Sequence, residues 1–355
     1  MSLPGKEAKT FDRFFLGKVL NLHVNRKEFL VYGGVGLIGT ALLARTAFGS
    51  NPPSLGEGDS YKEKESAFKP GWIEENIKAD FINPDPEQRG HINFLREAIF
   101  NNPVLFDSTV EYFKYLNDKA SKNERLKLGD MFAQAHKLVS GKLEGASPIE
   151  KMHAAAYVFT AGLNPWLSED EMLQLGVDVA GRGVGGYFWG KDGIGNKVFP
   201  KVLGNGRDDL DKKLIEKGHA PRYGGQDRAV HFAHHFLLTF IYLYSENYHL
   251  KIHERIPEIL KYTINAAGFR SKESRAVIFS YVIGQLFEFS ALRDFKYWRI
   301  PFIKEDVNEG RFEDMADKDI EANALGAKSA IKTFGEIIKE ESPEEFFKTL
   351  NEIGE

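Results

Sequence analysis

The feature that most constrains this chain is an apolar run near its N-terminus. Residues 29–44 read FLVYGGVGLIGTALLA, sixteen residues without a charged side chain, and the run reaches Phe48 if Arg45 directs its guanidinium to the interface. About 20 apolar residues at 1.5 Å per residue cross the roughly 30 Å of hydrocarbon in a bilayer. We therefore predict one transmembrane anchor over residues 29–48, in the inner (cytoplasmic) membrane, with the lipid bilayer as its first partner.

The charges that flank this run predict its orientation. Only two lysines, Lys62 and Lys64, lie within twenty residues after the run, whereas five basic residues lie close before it: Lys9, Arg13, Lys18, Arg26 and Lys27. Because basic residues are retained in the cytoplasm, residues 1–28 are expected there and the C-terminal domain is expected to be periplasmic or otherwise extracytoplasmic.

Four glycines within the run predict that the anchor has protein partners. Glycine weakens a helix in water but lets two membrane helices approach closely. We therefore expect other membrane-protein subunits to contact the anchor at Gly33, Gly34, Gly36 and Gly39.

Two other interpretations of residues 29–48 stay open. A cleaved signal peptide requires a small-x-small site, which residues 44–47 match poorly, and a shorter basic segment than residues 1–28. A buried, glycine-rich strand and turn of a soluble protein is the other, because sixteen uncharged residues are few for a membrane span.

Charge and cysteine content exclude several classes of protein. A net charge of −4 gives no basic surface for a polyanion, so no nucleic-acid partner is predicted. The chain has no cysteine, which excludes disulfides, thiolate nucleophiles and iron–sulfur clusters held by cysteine.

After the run, residues 49–70 have the composition of a linker and residues 71–355 predict one all-α globular domain. Apolar residues recur every three or four positions there, and alternation with a period of two is scarce. Four Ser-x-x-Glu motifs predict helix N-termini as capping boxes. They are Ser121/Glu124, Ser147/Glu150, Ser168/Glu171 and Ser342/Glu345. Phe346, Phe347, Leu350 and Ile353, at helical spacing, predict that the C-terminal helix docks on the domain.

Residues 181–206 interrupt this helical pattern with nine glycines. We predict a long loop, with at most a short hairpin. Its Gly-x-Gly-x-x-Gly motif at residues 181–186 follows a helix rather than a strand, which is not the context of a dinucleotide site. Long loops are often binding surfaces, so Tyr187, Phe188 and Trp189 are candidate partner-binding residues, unless they only pack the loop.

One segment carries candidate chemistry. A helix starting near residue 226 places Asp227, His231 and either His234 or His235 on one stripe among large apolar residues. Polar groups in such surroundings are at least partly buried and need partners.

Two later segments offer those partners. Glu288 is the only charged residue in residues 276–291, and a carboxylate there is costly unless it is paired. Asp319 and Asn323 stack four residues apart, and Gly326 follows them and permits close helix packing.

The order of these motifs resembles VanZ-like membrane proteins and related small envelope proteins. The pattern is Asp-x-x-x-His-Phe, then Gly-x-x-x-Glu, then Asp-x-x-Ala-Asn-x-x-Gly. It is carried, within residues 224–335, by Asp227, His231 and Phe232, by Gly284 and Glu288, and by Asp319, Ala322, Asn323 and Gly326. In that family the helices cross the membrane, whereas charged residues crowd them here. The resemblance therefore implies a soluble or membrane-apposed version and no particular reaction.

Three interpretations of the polar residues remain open. The first is a structural hydrogen-bond network of Asp227, His231, Glu288, Asp319 and Asn323. The second is a divalent-metal site with ligands among His231, His234, His235, Glu288 and Asp319. The third is a metal-independent acid–base set with the catalytic candidates Asp227, His231 and Glu288. No cofactor other than such a metal is expected. Motifs for serine hydrolases, P-loops and His-Glu-x-x-His metalloproteases are absent.

These observations lead to one hypothesis about function and two alternatives. The chain is a membrane-anchored, non-catalytic subunit or accessory or assembly factor of a cell-envelope protein complex. One alternative is a membrane-anchored, metal-dependent enzyme acting on an envelope or lipid-linked substrate. The other is a soluble binding protein in which residues 29–48 form buried core.

Overall fold

The computed structural model describes residues 68–77, 93–163, 167–190, 192–199, 227–250, 311–339 and 343–353, and most of residues 271–280. Regular structure in these residues is helical, without a β-strand, which confirms the predicted all-α class. The predicted anchor at residues 29–48 and segment 1–28 lie outside the described residues, as does the linker up to residue 67. Within the described part of the chain, no helix has the length and apolar character needed to cross a membrane.

The described chain begins with a 3-10 helix and continues with α-helices of very different lengths. The 3-10 helix is Glu74–Asn76. The α-helices are α1 Asn93–Asn101, α2 Pro103–Ser121, α3 Leu128–Ser140, α4 Pro148–Gly162, α5 Glu169–Gln174, α6 Gly183–Trp189, α7 Ile194–Val198, α8 Asp227–Tyr248, α9 Arg311–Ile338 and α10 Pro343–Ile353.

Helix α4 is the centre of the domain. Its residues 152–162 are all buried, so it has no polar face, as expected for a helix enclosed by other helices. Helices α1, α2, α3, α8 and α9 contact it. The α2 contact is close because α4 ends in Gly162, where a β-carbon would overlap the ring of Tyr112.

An aromatic cluster joins α4 to three of the helices around it. The ring of Phe132 in α3 lies 4.8 Å from that of Phe159 in α4, 5.2 Å from Phe236 in α8 and 5.3 Å from Phe346 in α10. Phe346 is 3% exposed and Leu350 is fully buried. The prediction that the C-terminal helix docks by this face is therefore confirmed.

Helices α8 and α9 form the most extensive helix pair among the described residues. At Gly326 the backbone of α9 approaches that of α8 so closely that a β-carbon would overlap the carbonyl oxygen of Phe232. The predicted role of Gly326 in close helix packing is confirmed.

Two of the predicted capping boxes are confirmed and one is wrong. Ser147 and Ser168 cap α4 and α5, and each exchanges hydrogen bonds with the glutamate three residues later, Glu150 and Glu171. Ser121 instead ends α2 and donates to the carbonyl of Asp118. Its expected partner Glu124 pairs with Lys119 at 2.5 Å. Ser342 lies outside the described residues, although α10 begins at Pro343.

The long loop predicted over residues 181–206 is wrong for its first part, which contains the short helices α6 and α7. The cause is burial. Tyr187 is 4% exposed, Phe188 is fully buried, and the ring centroids of both lie 6.4 Å from that of Phe113 in α2. Tertiary packing of these rings outweighs the low helix propensity of the glycines.

Candidate functional site

The histidines of α8 lie where the sequence places them, on a buried stretch of that helix. His234 is 6% exposed and His235 is 2% exposed, whereas His231 is half-buried. Apolar residues surround them, including the fully buried Phe232 and Phe236. The imidazoles therefore sit in the packing of α8 against its neighbours rather than on an open surface.

His231 contacts α9. Its Nδ1 lies 3.1 Å from Oδ1 of Asn323, which is itself 2% exposed. An amide oxygen only accepts, so the Nδ1–H of His231 donates. The contact lies three residues from Gly326, where the backbones of the two helices come close together. The structure thus brings together His231 and Asn323, two members of the predicted polar network.

His235 contacts the helical residues near position 280 instead. Its Nδ1 lies 2.7 Å from Oγ of Ser280, and the same hydroxyl donates to the backbone carbonyl of His235 at 3.3 Å. Since a hydroxyl has one hydrogen, the imidazole Nδ1–H donates to Ser280 when that hydrogen points to the carbonyl. Ser280 was not among the predicted site residues. Nothing in its local sequence distinguishes it from any other small residue on an apolar helix.

Burial keeps the two inner histidines neutral. It lowers the pKa of His234 to about 3, with the charge of His231 acting in the same direction. Burial, and then the neighbouring His231 and His234, also lower the pKa of His235 well below 6.5. Neutral imidazoles fit hydrogen-bonding roles inside the helix packing at physiological pH.

The remaining predicted residues are outside what can be described. Residues 227 and 319 lie in α8 and α9, but the side chains of Asp227 and Asp319 are not described, and Glu288 lies outside the described residues. Among the side chains that are described, no three His, Asp or Glu residues form a group able to hold a metal ion.

The predicted partner-binding residues have different positions. Tyr187 and Phe188 face the chain's own core, and the hydroxyl of Tyr187 donates to Oδ1 of Asn117 at 2.9 Å. Burial also raises the pKa of Tyr187. The side chain of Trp189 is not described, and Gly33, Gly34, Gly36 and Gly39 lie outside the described residues.

A second polar cluster lies between α4 and the 3-10 helix, and it was not predicted. Glu74, from the 3-10 helix, is 5% exposed, and His153 in α4 is fully buried. Oε1 of Glu74 lies 2.9 Å from Nε2 of His153 and accepts a hydrogen bond from the hydroxyl of Tyr157 at 3.1 Å. Burial alone would raise the pKa of Glu74, but the charge of His153 and the hydrogen bonds outweigh it, so the pKa lies below 4.5.

Helix α8 completes this cluster with aromatic rings. The imidazole of His153 stacks on the ring of Tyr244 with centroids 3.9 Å apart and planes at 22°, and it also lies parallel to Phe240 at 6.3 Å. Burial, followed by the charges of Glu74 and Glu150, raises the pKa of Tyr244. The phenol therefore stays protonated and available as a hydrogen-bond donor.

The sequence contains only a faint signal for this cluster. His153 lies in a mainly apolar stretch of α4 from Met152 to Gly162, and a histidine in such a run is expected to need a partner. Glu74 has the local sequence of a surface residue, next to the exposed Glu75. Nothing local shows that these residues, 79 positions apart in the chain, meet.

Comparison of the chain with family models, with curated proteins and with solved structures gives no match. The VanZ-like resemblance stays a prediction that rests on three short motifs. The structure describes two contacts between the first and the third of those motifs, from His231 to Asn323 and from Phe232 to Gly326.

Proposed function

We propose that this chain is a membrane-anchored, non-catalytic subunit or accessory factor of a cell-envelope protein complex. The observation that carries the non-catalytic part is the position of the His231–Asn323 hydrogen bond, three residues from the close contact of α8 and α9 at Gly326. A polar pair at such a contact fixes the register of two helices, which is the usual work of a buried polar network.

The contact of His235 with Ser280 supports the same interpretation. It also joins α8 to a neighbouring helical segment, and both atoms are buried. Two histidines of one helix are thus each engaged by a different neighbour. Such an arrangement is suited to a rigid domain that presents its outer surface to other proteins.

The membrane part of the proposal rests on residues 29–48. Their length fits one bilayer crossing, and their four glycines fit close contact with another membrane helix. A lateral helix contact of this kind is typical of subunits that assemble within the membrane.

Membrane attachment is tested by fractionating cells that express the full chain, with a variant lacking residues 29–48 as the control. The full chain is expected to stay with the membranes after alkaline carbonate extraction and to require detergent, while the deletion variant is expected to be soluble and helical. A full chain that is soluble without detergent would favour the soluble binding protein instead.

Assembly is tested by native mass spectrometry of the detergent-extracted chain. Gly36→Leu is expected to abolish a larger complex by blocking helix approach, whereas Leu42→Ala, which adds no bulk to the same run, is expected to keep it. Elemental analysis of the same samples tests the enzyme alternative. Stoichiometric zinc, iron or manganese that is lost in a folded His231→Ala variant would overturn the non-catalytic proposal.

A further inference from the structure

Residues 68–77, here called the N-terminal strap, pack on the helical domain through side chains. Ile73 is fully buried, Ile77 is 5% exposed, and the rings of Phe68 and Trp72 lie 5.3 Å apart. Gly71 has a φ of +86°, and a β-carbon there would lie 2.9 Å from Cδ2 of Leu250. The strap therefore closes tightly over the end of α8.

The strap has little structure of its own. Its 3-10 helix has three residues, and the backbone–backbone hydrogen bonds described for it all stay within it, from Trp72 to Lys69, Glu75 to Gly71 and Ile77 to Glu74. A segment this short is not stable alone in water. Its position therefore depends on the contacts of its side chains with α1, α4 and α8.

One of these contacts is the pair of Glu74 with His153. Oε1 and Nε2 are 2.9 Å apart, and both side chains are removed from water. Protonation of Glu74 weakens its contacts with His153 and Tyr157, because a neutral carboxylic acid is a poorer hydrogen-bond acceptor than a carboxylate. Glu74 belongs to the strap and His153 to α4, so this contact is broken when the strap moves away from the domain.

We propose that the Glu74–His153 pair is an acid-sensitive latch, and that protonation of Glu74 releases the strap while the helical domain stays folded. The domain can remain folded because its aromatic cluster of Phe132, Phe159, Phe236 and Phe346 includes no residue of the strap. This inference is independent of the membrane anchor and of the proposed function.

The other ionisable groups near the pair have partners or positions of their own. On α4, Tyr157 donates to Glu74, and Glu150 accepts from the backbone and hydroxyl of Ser147, both at 2.8 Å. On α8, Tyr244 and Tyr248 are phenols that are uncharged at acid pH.

On α1, Arg96 pairs with Glu171, and Glu97 is half-buried. Within the strap, Lys69 and Glu75 are exposed. Glu74 is thus the buried carboxylate through which acid acts on the strap.

The latch is tested with a full-length chain in which Trp72 is the only tryptophan, the other three being replaced by phenylalanine. Acrylamide quenching of Trp72 reports the strap, and far-ultraviolet circular dichroism reports the helices. As the pH falls, quenching is expected to rise at pH values where the helical signal is still complete, because the stability lost through the buried histidines leaves the helices folded until it is exhausted. In Glu74→Gln, Trp72 is expected to be open to quencher already at neutral pH, with the helical signal unchanged.

Glu75→Gln is the matched control, because it removes the neighbouring, exposed carboxylate, and it is expected to behave like its parent. Hydrogen exchange of the chain with all its tryptophans gives the same comparison. In Glu74→Gln, peptides from residues 68–77 should exchange at least about tenfold faster at neutral pH, while those from α4 and α8 stay protected. Loss of strap and helix signals together, or a strap that stays equally protected in Glu74→Gln, would overturn the latch.

Discussion

Gly326 of α9 lies against the backbone carbonyl of Phe232 in α8, with no room for a side chain between the two helices. His231 and Asn323 meet in the same helix pair, with Asn323 three residues from Gly326. A substitution that separates the helices at Gly326 is therefore expected to disturb this hydrogen bond.

Gly326→Ala is expected to destabilise the domain by about 1–3 kcal/mol, because the added methyl group forces the helices apart. This loss is net of the roughly 1 kcal/mol that alanine contributes to a helix interior. Urea denaturation measures it. Gly141→Ala is the control, since a β-carbon there meets its nearest neighbour at 3.6 Å and should cost little. Equal stabilities for the two variants would contradict the close contact.

Asn323→Ala is expected to cost about 1 kcal/mol, because it removes the hydrogen-bond acceptor of the half-buried His231 imidazole. A double-mutant cycle with His231→Ala isolates the contact, and a coupling free energy of about 1 kcal/mol is expected. If the two substitutions add without coupling, the hydrogen bond does not stabilise the α8–α9 pair.

Acid is expected to destabilise the fold through its buried histidines. The pKa of His234 falls to about 3, and burial, outweighing the opposing charge of Glu344, lowers that of His136 to about 4. The unfolded chain therefore binds these protons first, and stability that is fully present above pH 6.5 is lost as the pH falls towards the folded values. Near pH 5, each such histidine makes the unfolding free energy fall by about 1.4 kcal/mol for every pH unit of acidification.

The unfolding free energy of His234→Gln should depend less steeply on pH between pH 6 and pH 4.5, because the contribution of one histidine is missing. Thr239→Val, a fully buried and non-titrating site on the same helix, is the control and should shift stability without changing the slope. A slope that His234→Gln leaves unaltered would mean that this imidazole is charged in the folded protein.

Phe346→Ala is expected to lower stability by about 3–5 kcal/mol, because it empties the space between Phe132 and Phe236 in the aromatic cluster. Thermal unfolding followed by circular dichroism measures the change. Lys348→Ala alters the exposed side of the same helix and should leave the midpoint nearly unchanged. A similar midpoint for both variants would mean that α10 does not pack on the domain.

Local patterns predicted the helices well, because their causes are local. The hydroxyl of Ser147 and the carboxylate of Glu150 are close enough in sequence to cap a helix wherever the chain is helical there. The same pattern misleads at Ser121, since Lys119 competes for Glu124. The sequence indicated His231 by its spacing from Asp227 and Asn323 by its spacing from Asp319. The structure adds that His231 and Asn323 are in contact.

Features that depend on distant residues were not predictable. Glycine content suggested a loop over α6 and α7, but the packing of Tyr187 and Phe188 on Phe113 decides their conformation. The partner of His153 is Glu74, whose local sequence is that of a surface residue. In both cases the deciding contact is one between segments far apart in the chain, about which composition and periodicity carry no information.

The enclosure of α4 has a consequence for how the protein is made. Its buried surface requires α8, which begins at Asp227, 65 residues after α4 ends at Gly162, and the aromatic cluster is completed only by Phe346 in α10. During synthesis the apolar helix therefore emerges from the ribosome long before its covering does. The nascent chain must be kept from aggregating until its last helix is released, and products that stop short of α10 are natural substrates for chaperones and proteases.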